Sequence, residues 1–295
     1  MADGIIIIDK PEGVSSFSAV ARIRRLFGER RVGHTGTLDP LATGVLPILV
    51  GRAVKASDYL LTADKHYIAT LKLGIATDTE DITGEVIGRS DVIPTEAQVR
   101  EAVAGFIGSY KQTPPMYSAI KVGGKKLYEL AREGKTVERE ARTVTIENIL
   151  VEKICDDEYT LDVTCSKGTY IRTLCSDIGA ALDSFGTMKT LRRAEAAGYT
   201  LSDAIPLDAL ENMSDEERRR RLLPTEVIFE KHRAVHLPDF FSRLAHSGLE
   251  IYLKKIAENG VAGERVRMCD KNGFFALGEI REFEDGLAIK PIKQF

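Results

Sequence analysis

Four isoleucines in a row, Ile5 to Ile8, stand between Gly4 and Asp9, and Lys10-Pro11 with Gly13 closes the run. β-Branched side chains favour a pleated surface, and proline ends a ladder because it has no N–H to donate. The run therefore reads as a buried strand, and the rest of the fold has to be organised around a sheet. Ala42 to Val50 reads as a second buried strand and His66 to Leu73 as an alternating one.

Helices are expected where the period lengthens. Ser15 or Ser16 can cap a helix in which Phe17, Val20, Ile23 or Arg24, and Phe27 recur at helical spacing, with Arg22, Arg25, Arg30 and Arg31 on its outer side and exit. Arg52 to Thr62 reads as a helix, and so does Thr95 to Phe106, capped by Thr95 with Val99, Val103 and Phe106 inward. Tyr110 to Arg142, rich in Lys, Gly and Pro, has one helical stretch near Leu127 to Arg132 and is long for a plain connection, which marks it as functional. Thr143 to Lys153 and Tyr159 to Cys165 pair as strands across an acidic turn. Gly168 opens a helix to about Leu182, and Thr190 to Tyr199 reads as a further strand. After Pro224 come a helix near Phe240 to His246 and strands at Val266 to Met268, Phe274 to Ile280 and Leu287 to Pro291. Asn272-Gly273 and Asp285-Gly286 are hairpin signals. A chain of 295 residues has room for two domains, and the change of pattern places a small β-rich one at 231–295.

Hydrophobic residues at 43% and charged residues at 29% describe an ordinary globular chain, excluding collagen, coiled coil and membrane channel. The apolar runs fall far short of the roughly 20 residues of a membrane span, and no signal pattern opens the sequence, so a cytoplasmic protein without membrane association is expected. Net charge is −3, but Arg22 to Arg31 holds five basic residues and one acidic, and Lys111 to Arg142 eight against four. Asp78 to Glu101 is acidic by seven to two. A basic face opposite an acidic back is plausible from this distribution. With no Trp in the chain, any stacking on nucleobases falls to Tyr, Phe, His or Arg. The four Cys form no CxxC pair, so no metal site is expected and the thiols are read as small buried side chains.

Gly33-His34-Thr35-Gly36-Thr37-Leu38-Asp39-Pro40-Leu41-Ala42-Thr43-Gly44 is a polar loop between two apolar elements. Pro40 holds Asp39 extended, which fixes a carboxylate on a rigid rim. It can act as a nucleophile or a general base, or simply close an Asx-type turn. The Gly33 to Gly36 spacing is a weak match to an RNA-clamping GxxG loop, and Gly134-Lys135-Thr136 lacks the first glycine of a P-loop.

Together, GHTGTLDPLATGVLP, Lys10-Pro11 with Gly13, Lys65-His66-Tyr67, the Gly74 to Gly84 turn, Gln112 to Ala119, Gly168-Thr169-Tyr170-Ile171-Arg172 and Leu191-Arg192-Arg193 resemble, in order, the signatures of the bacterial TruB-type tRNA pseudouridine synthases. Ala194 and Tyr199 depart from that pattern, where Thr and Phe are frequent. The resemblance implies an α+β fold with a central, mostly antiparallel mixed sheet flanked by helices. It also implies a catalytic domain at 1–230 with an RNA-gripping thumb at about 110–142, and a looser likeness to a PUA-like RNA-binding module at 231–295. The implied activity is conversion of uridine 55 in the tRNA T loop to its C-glycoside, with no metal and no organic cofactor.

By the same resemblance Asp39 is the nucleophile, Arg172 the cation that favours its ionised form, and Tyr67 the base-stacking residue. Tyr170 and Leu191 line the uracil pocket, and His34 contacts the T loop as the target base is extruded. The implied partner is tRNA, through its T arm and, by way of the C-terminal module, its acceptor stem; a monomer needing no protein partner is expected. Whether Asp39 attacks carbon 6, attacks the anomeric carbon or abstracts a sugar proton stays open. Three other readings are an RNA-binding or tRNA-folding protein with incidental catalysis, a guide-dependent enzyme acting on ribosomal RNA, and a glycoside hydrolase. The retained thumb and the lack of a Lys-rich tail argue against the guide-dependent enzyme, and a hydrolase usually needs two carboxylates where only Asp39 is placed.

Overall fold

The computed structural model describes residues 2–295. The isoleucine run forms β1 (Gly4–Lys10). Next comes α1 (Ser16–Phe27), capped by Ser15, whose side chain accepts from the Ser18 N–H, and ended by Gly28. β2 (Val32–His34) and β3 (Thr43–Val50) follow, and β3 runs antiparallel to both β1 and β2. The stripe that α1 buries is Ser16, Ala19, Val20, Ile23 and Phe27. Phe17 was expected inward, but the register is set by Ser16, whose hydroxyl is hydrogen-bonded to Leu38, and Phe17 is turned to solvent.

The segment after β3 was expected to be one helix and is instead a 3₁₀ stretch, Gly51–Ala56, leading into the short α2 (Ser57–Leu61). Gly51 has φ +69°, and a Cβ there would stand 2.5 Å from the Ala2 carbonyl oxygen, so the chain is turned sharply against its own N-terminal residues. β4 (Lys65–Leu73) alternates as expected, and a small hairpin of β5 (Ile75–Thr77) and β6 (Val86–Arg89) follows. α3 (Glu96–Ala104) starts in a capping box made by Thr95 and Gln98.

β7 (Gly108–Gln112) leads into the thumb, which holds the hairpin β8 (Lys121–Val122) and β9 (Lys125–Lys126) and the helix α4 (Leu127–Arg132). β10 (Arg142–Cys155) and β11 (Glu158–Cys165) form the expected hairpin. Cys155 sits at its tip and is exposed, unlike Cys165, Cys175 and Cys269, so the expectation of buried thiols fails at this position. α5 (Ile171–Ala181) begins three residues after Gly168 and leads to β12 (Gly186–Ala196). β13 (Tyr199–Thr200), β14 (Ile205–Pro206), α6 (Leu207–Asn212) and α7 (Asp215–Arg220) complete this part.

The main sheet has the order β14-β1-β3-β12-β4-β11-β10-β7, with β2 and β13 pairing at β3 and β12. Its strand pairings among the described residues are antiparallel except β1 with β14 and β3 with β12. One face carries the principal core, to which α1, α3 and α5 contribute Val20, Val99 and Leu174. The other face of β1 and β3 is covered by a second cluster that includes Ala53, Leu60, Leu223 and Val227. Ile6 and Ile8 point into the first cluster, Ile5 and Ile7 into the second. That two-sided burial is why the strand carries four isoleucines in succession rather than an alternation.

A separate five-stranded sheet follows, built from β15 (Ala234–His236), β16 (Ile251–Tyr252), β17 (Arg265–Asp270), β18 (Gly273–Phe283) and β19 (Gly286–Gln294) in the order β15-β17-β18-β19-β16. α8 (Asp239–His246) packs on it, and both glycine hairpins turn where the sequence signals them. Phe229, Phe274 and Phe295 with Tyr59 close an aromatic contact between the two sheets, and Lys55 and Arg52 donate to the carbonyls of Gln294 and Phe295. No helix among the described residues is long and apolar enough to cross a membrane.

Candidate active site

The polar loop between β2 and β3 is tied down from several sides. Ser16 Oγ accepts from the Leu38 N–H at 2.8 Å and donates to the Leu38 carbonyl at 2.9 Å, and Gly13 donates to the Pro40 carbonyl. The buried Lys10 donates to the carbonyls of Pro11, Val14 and Pro40 at 2.9, 2.6 and 3.4 Å. Arg193, fully buried on β12, donates to the carbonyls of Val45 and Gly36. Gly44 (φ +104°) lies so close to this arginine that a Cβ would stand 2.2 Å from its carbonyl oxygen. Asp39, between Leu38 and Pro40, is therefore held by neighbours that cannot easily shift.

Arg172 enters from the first turn of α5, its side chain almost wholly buried. Its Nε lies 3.0 Å from Oδ2 of Asp39, and its Nη1 is 3.6 Å from Oδ2 of Asp81. Nη1 also donates to the Thr79 carbonyl at 3.0 Å, and Nη2 to the Tyr117 carbonyl of the thumb at 2.8 Å. Burial pushes the Asp39 carboxyl above its ordinary value, Arg172 opposes that, Asp81 adds to it, and Lys10 opposes it. The result is a more basic carboxylate beside a fixed cation.

Asp81 belongs to the Gly74 to Gly84 turn. It is buried, and its Oδ1 accepts from Thr79 Oγ1, Thr83 N–H and Thr83 Oγ1. With Oδ1 so occupied and Oδ2 turned to the guanidinium, it serves as a strut for Arg172.

The other expected residues surround this pair. Tyr67 is buried on β4 opposite Arg193, and burial raises its phenol. Tyr170 precedes α5, half-buried, with its phenol also raised by burial. Gln112, at the base of the thumb, clamps the Tyr170 backbone: its Oε1 accepts from the N–H at 2.8 Å and its Nε2 donates to the carbonyl at 3.0 Å. Leu191 is buried on β12 opposite Ala69. His34 lies on β2 opposite Ile48, with Nδ1 buried and unpartnered. Burial lowers its pKa and the Arg193 charge lowers it further, so the ring is neutral at neutral pH. His66 instead pairs with Asp162 on the neighbouring strand.

Lys10, Asp81, Gln112 and Arg193 were not singled out from sequence, although each sits inside a quoted motif. A signal existed for two of them: Lys10 and Arg193 are long cations within apolar strands, where they are seldom fully buried without a partner. A cleft of about 360 Å³ between the end of α1 and α7, and another of about 260 Å³ beside Lys65 and His66, include neither Asp39 nor Arg172.

A continuous, largely antiparallel sheet flanked by helices, with a carboxylate beside a buried arginine that a basic insertion also contacts, is the architecture of a pseudouridine synthase. The model for the TruB family pseudouridylate synthase N-terminal domain matches residues 24–171, and that for the tRNA pseudouridylate synthase B C-terminal domain matches 172–230. A tRNA pseudouridine synthase B of Burkholderia mallei is 45% identical over 97% of this chain and 95% of its own. That of Alkaliphilus oremlandii is 43% identical over 95% and 93%. Among solved structures, one chain of a Cbf5-Nop10-Gar1 complex superposes with a TM-score of 0.71 at 26% identity, covering 99% of this chain and 85% of that one. The chain belongs to the TruB family of pseudouridylate synthases.

Proposed function

We propose that this protein converts uridine 55 in the T loop of tRNA to pseudouridine, using Asp39 as the acting carboxylate and no metal or organic cofactor. The observation that carries the reading is the Arg172–Asp39 pair, a buried guanidinium 3.0 Å from a carboxylate on a rigid loop. The names of the relatives, tRNA pseudouridine synthase B, support the substrate.

In the reaction the bond from the anomeric carbon to N1 breaks and one to carbon 5 forms, while carbon 5 gives up its proton and N1 gains one. No electrons are exchanged with a redox partner. The target base has to leave the stack to be reached, at a cost of a few kcal/mol. Neutral His34 fills the vacated space, Tyr67 stacks on the flipped base, and Tyr170 and Leu191 bound it. Arg172 favours the ionised Asp39 on which the chemistry depends.

The catalytic unit is residues 1–230, the segment at about 110–142 closes over the RNA, and 231–295 acts as a PUA-like module reaching the acceptor stem. The protein works as a cytoplasmic monomer. The test is incubation with unmodified tRNA tritiated at carbon 5 of uridine, without metal or nucleotide, beside a T-loop U→C control. Release abolished in the control supports the reading, and tight binding without release overturns it in favour of an RNA-binding protein.

A further inference from the structure

Among the described residues Phe17 is the most exposed large apolar side chain, at 73%. Its place is well defined. Ser15 caps α1, and Ser16, adjacent to Phe17, is buried and clamps Leu38, the residue before Asp39. One helical step of 100° turns position 17 away from that clamp without moving it far along the axis. The ring therefore stands on the solvent side of the turn that supports the acting carboxylate.

The same face continues through Ala21, exposed and small, to Arg24, about 10 Å along the axis. Arg24 donates to the Val32 carbonyl at 3.1 Å. It has no carboxylate within ion-pairing distance among the described residues, whereas Arg22 and Arg25 on the flank face Asp208 and Glu211. An open aromatic ring and an uncompensated guanidinium on one face suit a single strand of nucleic acid, with a base on the ring and a phosphate at the cation. The exposed neighbours Ser18, Ala21 and Thr37 are small or polar and give no broad apolar surface for a protein partner.

We propose that Phe17 stacks on a tRNA nucleotide flanking the target uridine while Arg24 meets a phosphate of the same strand, making Phe17 a substrate-positioning residue. The proposal rests on the tRNA reading above. It is tested by steady-state tritium release from tRNA, and by binding of a T-arm stem–loop carrying 2-aminopurine beside the target. Phe17→Ala is expected to raise KM and Kd about tenfold with kcat within about twofold of wild type, and Phe17→Tyr and Phe17→Trp to restore them. The melting temperature should stay put, since the ring is exposed. Quenching of 2-aminopurine by the wild type should be lost in Phe17→Ala and return in Phe17→Trp. Unchanged KM, Kd and quenching in Phe17→Ala, with the wild type turning over, overturn the stacking role and leave the enzyme assignment standing. No release by the wild type overturns both.

Discussion

Arg172 Nε stands 3.0 Å from Oδ2 of Asp39 because the rest of the guanidinium is already engaged by Asp81 and by the carbonyls of Thr79 and Tyr117. Lysine would keep the charge but lose the planar fork. Arg172→Lys should lower kcat/KM on the order of 100-fold, a loss typical of misplacement. Arg172→Met should also shift the pH profile. Arg172 opposes the upward push of burial on Asp39, so without it the carboxyl takes up its proton at a higher pH. If activity requires the ionised form, the acid limb of single-turnover tritium release moves to higher pH than in wild type; a limb that stays in place would show that Arg172 does not set the ionisation of Asp39.

Asp39→Asn leaves size and packing almost unchanged and removes the charge. Turnover should fall by more than about 10³-fold while tRNA affinity stays within a few-fold, because the charge acts on the chemistry. Filter binding and tritium release on the same preparation check both halves. Retained turnover would remove Asp39 from its role.

Asp177, half-buried on α5, is pushed up to about 6 from an ordinary 3.8 by burial and by the Glu80 charge. An acid raised in the folded state holds its proton more tightly there than in the unfolded chain. The stability linked to it is therefore full below about 3.8 and lost as pH rises through about 6. Asp177→Asn should stabilise the protein at pH 7.5 by on the order of 1 kcal/mol after allowance for solvent screening. The gain should vanish near pH 4, as urea midpoints at the two pH values would reveal.

Gly44→Ala combines a strained backbone (φ +104°) with a Cβ 2.2 Å from the Arg193 carbonyl oxygen and 2.8 Å from its nitrogen. Both strands there are central, so neither yields without disturbing β4 or β1. The substitution should cost about 3 kcal/mol or more in a chemical denaturation series. A change under about 1 kcal/mol would mean that the strands relax more freely than packed interiors do.

Much of this molecule is legible where local rules and tertiary burial agree. The capping box at Thr95, the helix at Leu127 to Arg132 and the two glycine hairpins of the small sheet fall where local chemistry puts them. Phe17 shows where legibility fails: two stripes of α1 fit the helical period, and the tertiary bond from Ser16 to Leu38 selects the one without it. The 3₁₀ turn at Gly51 is imposed by the approach of Ala2 and Asp3, which no helical propensity records. Asp39 could be marked as a carboxylate on a rim, and the resemblance brought Arg172 to it, but Lys10, Asp81 and Arg193 come from three other strands and turns and were not singled out.

The hydrogen bonds that hold Arg172 span 93 residues to Thr79 and 55 to Tyr117. Contacts so distant in sequence close late, because loop entropy must be overcome before they form. No nascent hairpin or helix–strand unit of this chain can carry the assembled carboxylate–guanidinium pair. Recovery of tritium-releasing activity during refolding is therefore a clock for completion of the whole sheet, and it should lag the return of helical circular dichroism.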